Sequence, residues 1–192
     1  NDPGFISAKT NLIAPLLEAA KEAGPVRLLL SAHGLPKKVI DRGDPYQWQV
    51  EKTCEAVVSA LADKGFSGLD WQVCYQSRVG PLEWIGPATE DAIIAAGRDG
   101  KGVVLAPIAF VSEHSETLVE LDIDYRELAK KHGIFHYARV PTVGTNKEFI
   151  EGLATMVRNG LRWDDHLARC GVSDGARCCP RQFSVCGHGT VP

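Results

Sequence analysis

Short apolar runs alternate with amphipathic segments from residue 5 to residue 162, and this alternation constrains the fold more than any other feature of the chain. VRLLLSA (26–32) is a brief apolar run of the kind buried in a parallel strand. Runs at 69–76, 102–110 and 134–140 predict three more strands. Helices are expected at 5–23, 46–64, 88–98, 113–132 and 146–162. Within 46–64, Val50, Cys54, Val57 and Leu61 recur at helical spacing. Pro15 predicts a kink or a late start in the first helix. Alternating strands and helices with short connections imply an α/β fold, a parallel sheet covered by helices on both faces.

In such sheets ligands sit beyond the carboxyl ends of the strands. His33, Gln76–Trp84 and Phe110–Glu116 all fall just after predicted strands, so the pattern nominates one rim. With 192 residues, 44% hydrophobic and 23% charged, the chain is too apolar for disorder and long enough for a core without disulfides. A net charge of −3 gives no electrostatic case for a nucleic-acid partner. No apolar run approaches the ~20 residues of a membrane span. The opening NDPGFISAKTN has no basic start leading into an apolar block, so no export signal is expected. A first residue of Asn1 reads as a fragment or a processed product.

Several stretches on that rim carry chemistry. Ser31-Ala32-His33-Gly34-Leu35-Pro36 places an imidazole in a turn, either as a base or metal ligand or as a loop histidine bonded to backbone. In a helix starting near Glu113, the carboxylates Glu113, Glu116, Glu120 and Asp124 lie at i, i+3, i+7 and i+11 and form one stripe. Leu118, Leu121, Tyr125 and Leu128 would form the stripe facing the sheet. Like charges so spaced repel by a few tenths of a kcal/mol per pair, so the row is either a solvated face or a set of oxygen ligands passing a cation or protons towards His33 and His114. A local π-bulge would change which carboxylates align. Asp44 and Pro45 of Gly43-Asp44-Pro45-Tyr46 read as a helix cap and first turn. Trp84 is either a core plug or the wall of a flat ligand's pocket. Beyond Trp163 the alternation stops. The last stretch has cysteines spaced C-x7-C-C-x6-C, which suits a metal or an iron–sulfur cluster, with disulfides as the alternative.

Taken in order, Ser31–Pro36, Gly43–Tyr46, Gln76–Pro81 with Trp84–Pro87, Pro107–Leu118 and Glu120–Tyr125 resemble the ferrochelatase family. The resemblance covers roughly residues 4–162 and the C-terminal half of that family's chain. It implies one of two Rossmann-like domains that face each other across a porphyrin cleft, and a lyase inserting Fe²⁺ into protoporphyrin IX to make protohaem. By resemblance His33 takes pyrrole protons or holds the metal, Glu116 is the second catalytic position, and His114 is its catalytic neighbour. Glu113, Glu120 and Asp124 join His33 and Glu116 along the metal's path, while Trp84, Phe110, Ser31 and Pro36 line the substrate pocket. Residues 1–163 correspond to the chelatase domain and 164–192 to a cysteine-rich tail. The tail resembles those of bacterial members that carry a [2Fe–2S] cluster, with Cys170, Cys178, Cys179 and Cys186 as its candidate ligands.

The implied partners are protoporphyrin IX, Fe²⁺ and an N-terminal ferrochelatase domain, in the cytoplasm or peripheral to the inner membrane. A homo-oligomer is left open, because an isolated half is expected to expose an apolar patch around Trp84 and Phe110. Two other readings stand beside the enzyme. One is a non-catalytic haem- or metal-binding module with a redox-sensing tail. The other is a half-sized chelatase of the cobalt or sirohydrochlorin type completing its cleft as a homodimer, against which the Trp84 loop and the cysteine tail argue.

Overall fold

The structure, a computed structural model, describes residues 2–162 and 177–187. Four parallel strands form one sheet in the order β2-β1-β3-β4: β1 (Val26–His33), β2 (Asp70–Gln76), β3 (Gly102–Pro107) and β4 (Tyr137–Arg139). The period-two pleat sorts their side chains onto two cores. Leu28, Leu30, Ala32, Val104 and Ala106 face α1 (Pro3–Ala23) and α3 (Tyr46–Asp63). Leu29, Cys74, Val103 and Leu105 face the opposite layer, α4 (Thr89–Arg98) and α5 (Tyr125–Lys131). The central strands are therefore apolar on both sides, which is why their sequences read as runs rather than alternations. The last helix, α6 (Lys147–Gly160), packs on α1, where Phe149 meets Phe5 edge-on. Among the described residues no helix is long and apolar enough to cross a membrane.

The N-terminal ends of the strands are tied by charge. Arg27 pairs with Asp70 and Asp99 at 3.0 Å each, and Lys101 also reaches Asp70. The opposite rim, at the carboxyl ends, is left to loops. On that rim the order β2-β1-β3 sends successive connections to either side of β1 and opens a crevice there.

Most predicted boundaries hold to within a few residues, and the departures have local causes. Asp2 accepts a hydrogen bond from the Phe5 N–H at 2.8 Å and starts α1 at Pro3, so Pro15 does not delay the helix. The predicted loop after His33 contains a five-residue helix, α2 (Lys37–Asp41). The third strand ends at Pro107, not residue 110. The helix expected over 113–132 begins only at Glu116, and its first part, Glu116–Asp124, is a π-helix that passes into α5. The Tyr125 N–H donates to the Glu120 carbonyl, five residues back, which is the π pattern. Leu121 and Tyr125 face the core as expected, but Leu118 is 47% exposed and Thr117 takes the buried place. The wider turn rotates that position away from the sheet.

Candidate functional site

His33 is the last residue of the central strand, and three contacts fix it. Its Nδ1 lies 2.6 Å from the Gly34 carbonyl, an acceptor only, so Nδ1 carries a proton and Nε2 is the nitrogen left facing the cavity. The Tyr46 hydroxyl donates to the His33 carbonyl at 2.9 Å, and the Gly34 N–H donates to the Gln76 carbonyl at 2.8 Å. Asp44 accepts from the Tyr46 N–H at 2.8 Å; the helix is capped at Pro45 rather than Asp44 and begins at Tyr46, and this turn sets the tyrosine that holds the histidine. Nε2 points at Glu116 Oε2, 3.7 Å away, and the two side chains are 39% and 29% exposed.

Around this pair lies a cavity of about 710 Å³, lined by His33, Ser77, Arg78, Val79, Glu90, Glu116, Glu120, Asp124, Tyr125 and Leu128. Glu116, Glu120 and Asp124 thus share one wall, as the spacing predicted. Glu120 is held by three donors: the Ser77 N–H and the Tyr125 hydroxyl on Oε1, at 2.8 and 2.7 Å, and the Ser77 hydroxyl on Oε2 at 2.5 Å. The same hydroxyl lies 2.9 Å from Glu116 Oε2. Burial, followed by the bond to Glu120, pushes the Tyr125 phenol well above its ordinary pKa, so it remains a donor. Ser77 and Tyr125 are the functional residues that local sequence reasoning missed. Ser77 has φ 60°, and that left-handed turn aims both its N–H and its hydroxyl at the acid row.

Glu113 does not join the row. It lies before the helix and accepts from Arg139 at 3.0 Å, the Thr142 N–H at 3.1 Å and the Thr117 hydroxyl at 2.7 Å. Burial alone would raise its pKa, but the bonds from Thr117, Thr142 and Arg139 together hold it below its ordinary value. Arg139 also reaches Asp122, so this cluster anchors the π-helix to the end of β4.

The remaining candidates sit beside the cavity rather than on its wall. His114 stacks on Phe110, ring centroids 5.4 Å apart, and its Nδ1 is 3.8 Å from Glu116 Oε1. Trp84 pairs with Pro36 in an antiparallel bridge, and its ring lies over Gly34, so the Trp84 loop is clipped to the turn after His33. Ser31 is fully buried and bonds Gln76 and Thr89 at 2.8 and 2.9 Å, which removes it from ligand contact. The exposed apolar side chains of this rim are Val79, Leu82, Val111, Leu118, Val119 and Ile123, whereas Trp84 and Phe110 themselves are half-buried.

Among the described residues, no three of the His, Cys, Asp and Glu side chains converge closely enough to hold a metal ion. His33, Glu113, Glu116, Glu120 and Asp124 thus form no closed ligand set. Glu113 is turned to Arg139, and Glu120 is occupied by Ser77 and Tyr125. Within the described part of the tail, Cys178, Cys179 and Cys186 form no such group by themselves. Cys170 lies outside the described residues. The described tail docks beside the site. Val185 N–H donates to the Gly43 carbonyl at 3.2 Å, Gln49 reaches Cys179 Sγ at 3.3 Å, and Phe183 packs on Trp48 with ring centroids 5.8 Å apart.

Comparison with known proteins agrees with the motif order. A family model described as Ferrochelatase matches residues 1–161. The ferrochelatase of Pelagibacter ubique is 46% identical over 187 residues, covering 96% of this chain and 51% of the relative. That of Caulobacter vibrioides is 54% identical over 158 residues, covering 82% and 44%, and that of Rickettsia bellii 49% over 187 residues, covering 96% and 50%. The chain spans about half the length of the curated relatives it matches. A solved structure described as a putative cobalamin biosynthesis CbiX protein from Marinobacter aquaeolei is similar with a TM-score of 0.48 and 16% identity, covering 71% of this chain and 98% of that one.

Proposed function

The chain belongs to the ferrochelatase family, and from that premise we propose that it forms the half of a ferrochelatase that carries the base and the acid row for inserting Fe²⁺ into protoporphyrin IX. The observation that carries this reading is His33 Nε2, 3.7 Å from Glu116 Oε2 on the wall of a cavity that also holds Glu120 and Asp124.

Insertion exchanges two pyrrole N–H protons for one divalent cation, so the site must accept protons at one place and deliver a cation to the same place. His33 takes a pyrrole proton on Nε2. The Gly34 carbonyl holds Nδ1–H and keeps the ring turned to the cavity, and Glu116 stabilises the imidazolium that results. Glu120 and Asp124 extend the negative wall from that point along the helix, a path on which a hydrated cation is attracted and along which both pyrrole protons, passed one after the other through His33, leave to water. A cavity of about 710 Å³ fits within the usual range of small-molecule sites, but it is walled on one side of the rim. The opposite wall belongs to an N-terminal domain, the partner this proposal requires. The tail's four cysteines are assigned to a [2Fe–2S] cluster on the strength of the resemblance and their spacing, and no step of the reaction runs through it.

The test is anaerobic. Fe²⁺ and protoporphyrin IX are mixed with this chain, alone and with the N-terminal half of a relative, and loss of porphyrin fluorescence is followed. Insertion in at least one arrangement, abolished by His33→Ala, is expected. Insertion that survives His33→Ala refutes the role of the histidine.

A further inference from the structure

We infer that Arg78 anchors a peripheral carboxylate of the tetrapyrrole and so determines which edge of the macrocycle enters first. This inference rests on the porphyrin reading above.

The cavity wall carries four carboxylates, Glu90, Glu116, Glu120 and Asp124, and Arg78 is its sole lysine or arginine among the described residues. Protoporphyrin is an apolar disc with two propionates on one edge. A dianion brought against four carboxylates is repelled unless its charged edge is turned away from them or met by a cation. On the wall formed by the described residues there is one cation, and where it sits sets the orientation against that wall.

Two features make Arg78 suited to that task. Its stem is seated: a Cβ built on Gly34 would lie 3.4 Å from Arg78 Cγ, so the methylenes pack against the residue following His33. Its head is unengaged: among the described residues no carboxylate lies within ion-pair distance of the guanidinium, although acids share the cavity. By contrast Arg27, Arg126 and Arg139 all have carboxylate partners. The adjacent Ser77, in its left-handed turn, takes Glu116 and Glu120, which leaves the neighbouring guanidinium without those acids as partners. A planar fork with free donors matches a carboxylate bidentately.

The test needs only binding. Titrate the chain into protoporphyrin IX and into its dimethyl ester, in the same low detergent, and read porphyrin fluorescence. The wild-type chain is expected to prefer the diacid by about tenfold, the range of a charge-assisted pair in water. Arg78→Gln removes the preference, Arg78→Lys keeps part of it, and Arg98→Gln, at the opposite end of the sheet, leaves it intact while matching the change in net charge. A preference that survives Arg78→Gln overturns the assignment. Equal wild-type binding of diacid and ester overturns it too, and leaves the porphyrin reading standing. Binding of neither by the wild-type chain, alone and with the N-terminal half of a relative added, overturns the porphyrin reading for this chain and this inference with it.

Discussion

Replacing Lys9 by methionine should abolish a rise in stability with pH over a narrow alkaline window and so reverse which of the two proteins is the more stable. Lys9 is fully buried on α1, and its ammonium donates to the Pro107 carbonyl at 2.5 Å, where β3 ends. Burial lowers its pKa from 10.5 to about 8, against the attraction of Glu113. A lysine whose folded pKa lies below its unfolded one binds fewer protons when folded, so stability rises with pH between the two values. The gap from 10.5 to about 8 corresponds to about 3 kcal/mol, present as a penalty at pH 7 and gone above pH 10.5. Methionine removes that penalty but leaves the Pro107 carbonyl without its donor, at about 1–3 kcal/mol. At pH 7 the variant should therefore match or exceed the wild type. Near pH 10.5 it should be less stable by about 1–3 kcal/mol, because the neutral amine still donates. Urea unfolding of both proteins at constant ionic strength from pH 7 to 10.5, with reductant, measures the difference. Subtraction cancels the shared titrations of Cys54 and Cys74, both pushed up to about 12 by burial, and those of the buried tyrosines. A difference between the proteins that stays flat across this window refutes the reasoning.

Gly43→Ala should detach the tail without unfolding the sheet. Gly43 has φ 94°, and a Cβ there would sit 2.6 Å from Ser184 Oγ, so cleavage by trypsin after Arg177 and Arg181 should accelerate while the bulk melting transition moves little; unchanged cleavage refutes the docking. For the tail itself, protein purified anaerobically should contain about two irons and two acid-labile sulfides per chain. Removing both by Cys178→Ser with Cys179→Ser should leave the fold intact, and a wild-type chain without iron or sulfide refutes the cluster.

The parts of this fold that could be read from the sequence are those set by local periodicity. Leu28–Leu30 announced a strand buried on both faces, and Val50, Cys54, Val57 and Leu61 gave the buried side of α3 in full. His33, Glu116, Glu120 and Asp124 were legible as one rim because each follows a strand end or repeats every fourth residue. What escaped depends on distant partners or on backbone geometry. Glu113 left the row because Arg139, 26 residues on, holds it, and no local pattern encodes that pairing. Ser77 escaped because a non-glycine residue at φ 60° has no compositional mark. A usable signal was present nonetheless: Ser77 directly follows the last residue of a predicted strand, the same position relative to β2 that Gly34 holds relative to β1.

The π-helix explains why the acid row works better than its sequence spacing suggests. In an α-helix, with 3.6 residues per turn, each step of four residues overshoots a full turn by about 40°, so Glu116, Glu120 and Asp124 would wind progressively off one face. A wider turn reduces that drift and brings every fourth residue closer to one line. The structure shows the consequence. Glu116 and Glu120 both reach the single hydroxyl of Ser77, at 2.9 and 2.5 Å, and Asp124 faces the same cavity. The same widening moves Leu118 out of the core, where it is 47% exposed beside Val119 and Ile123. Alignment of the acids and exposure of the apolar rim are therefore one structural event. A change restoring α-helical winding over Glu116–Asp124 should rebury Leu118 and break the shared contact at Ser77 together.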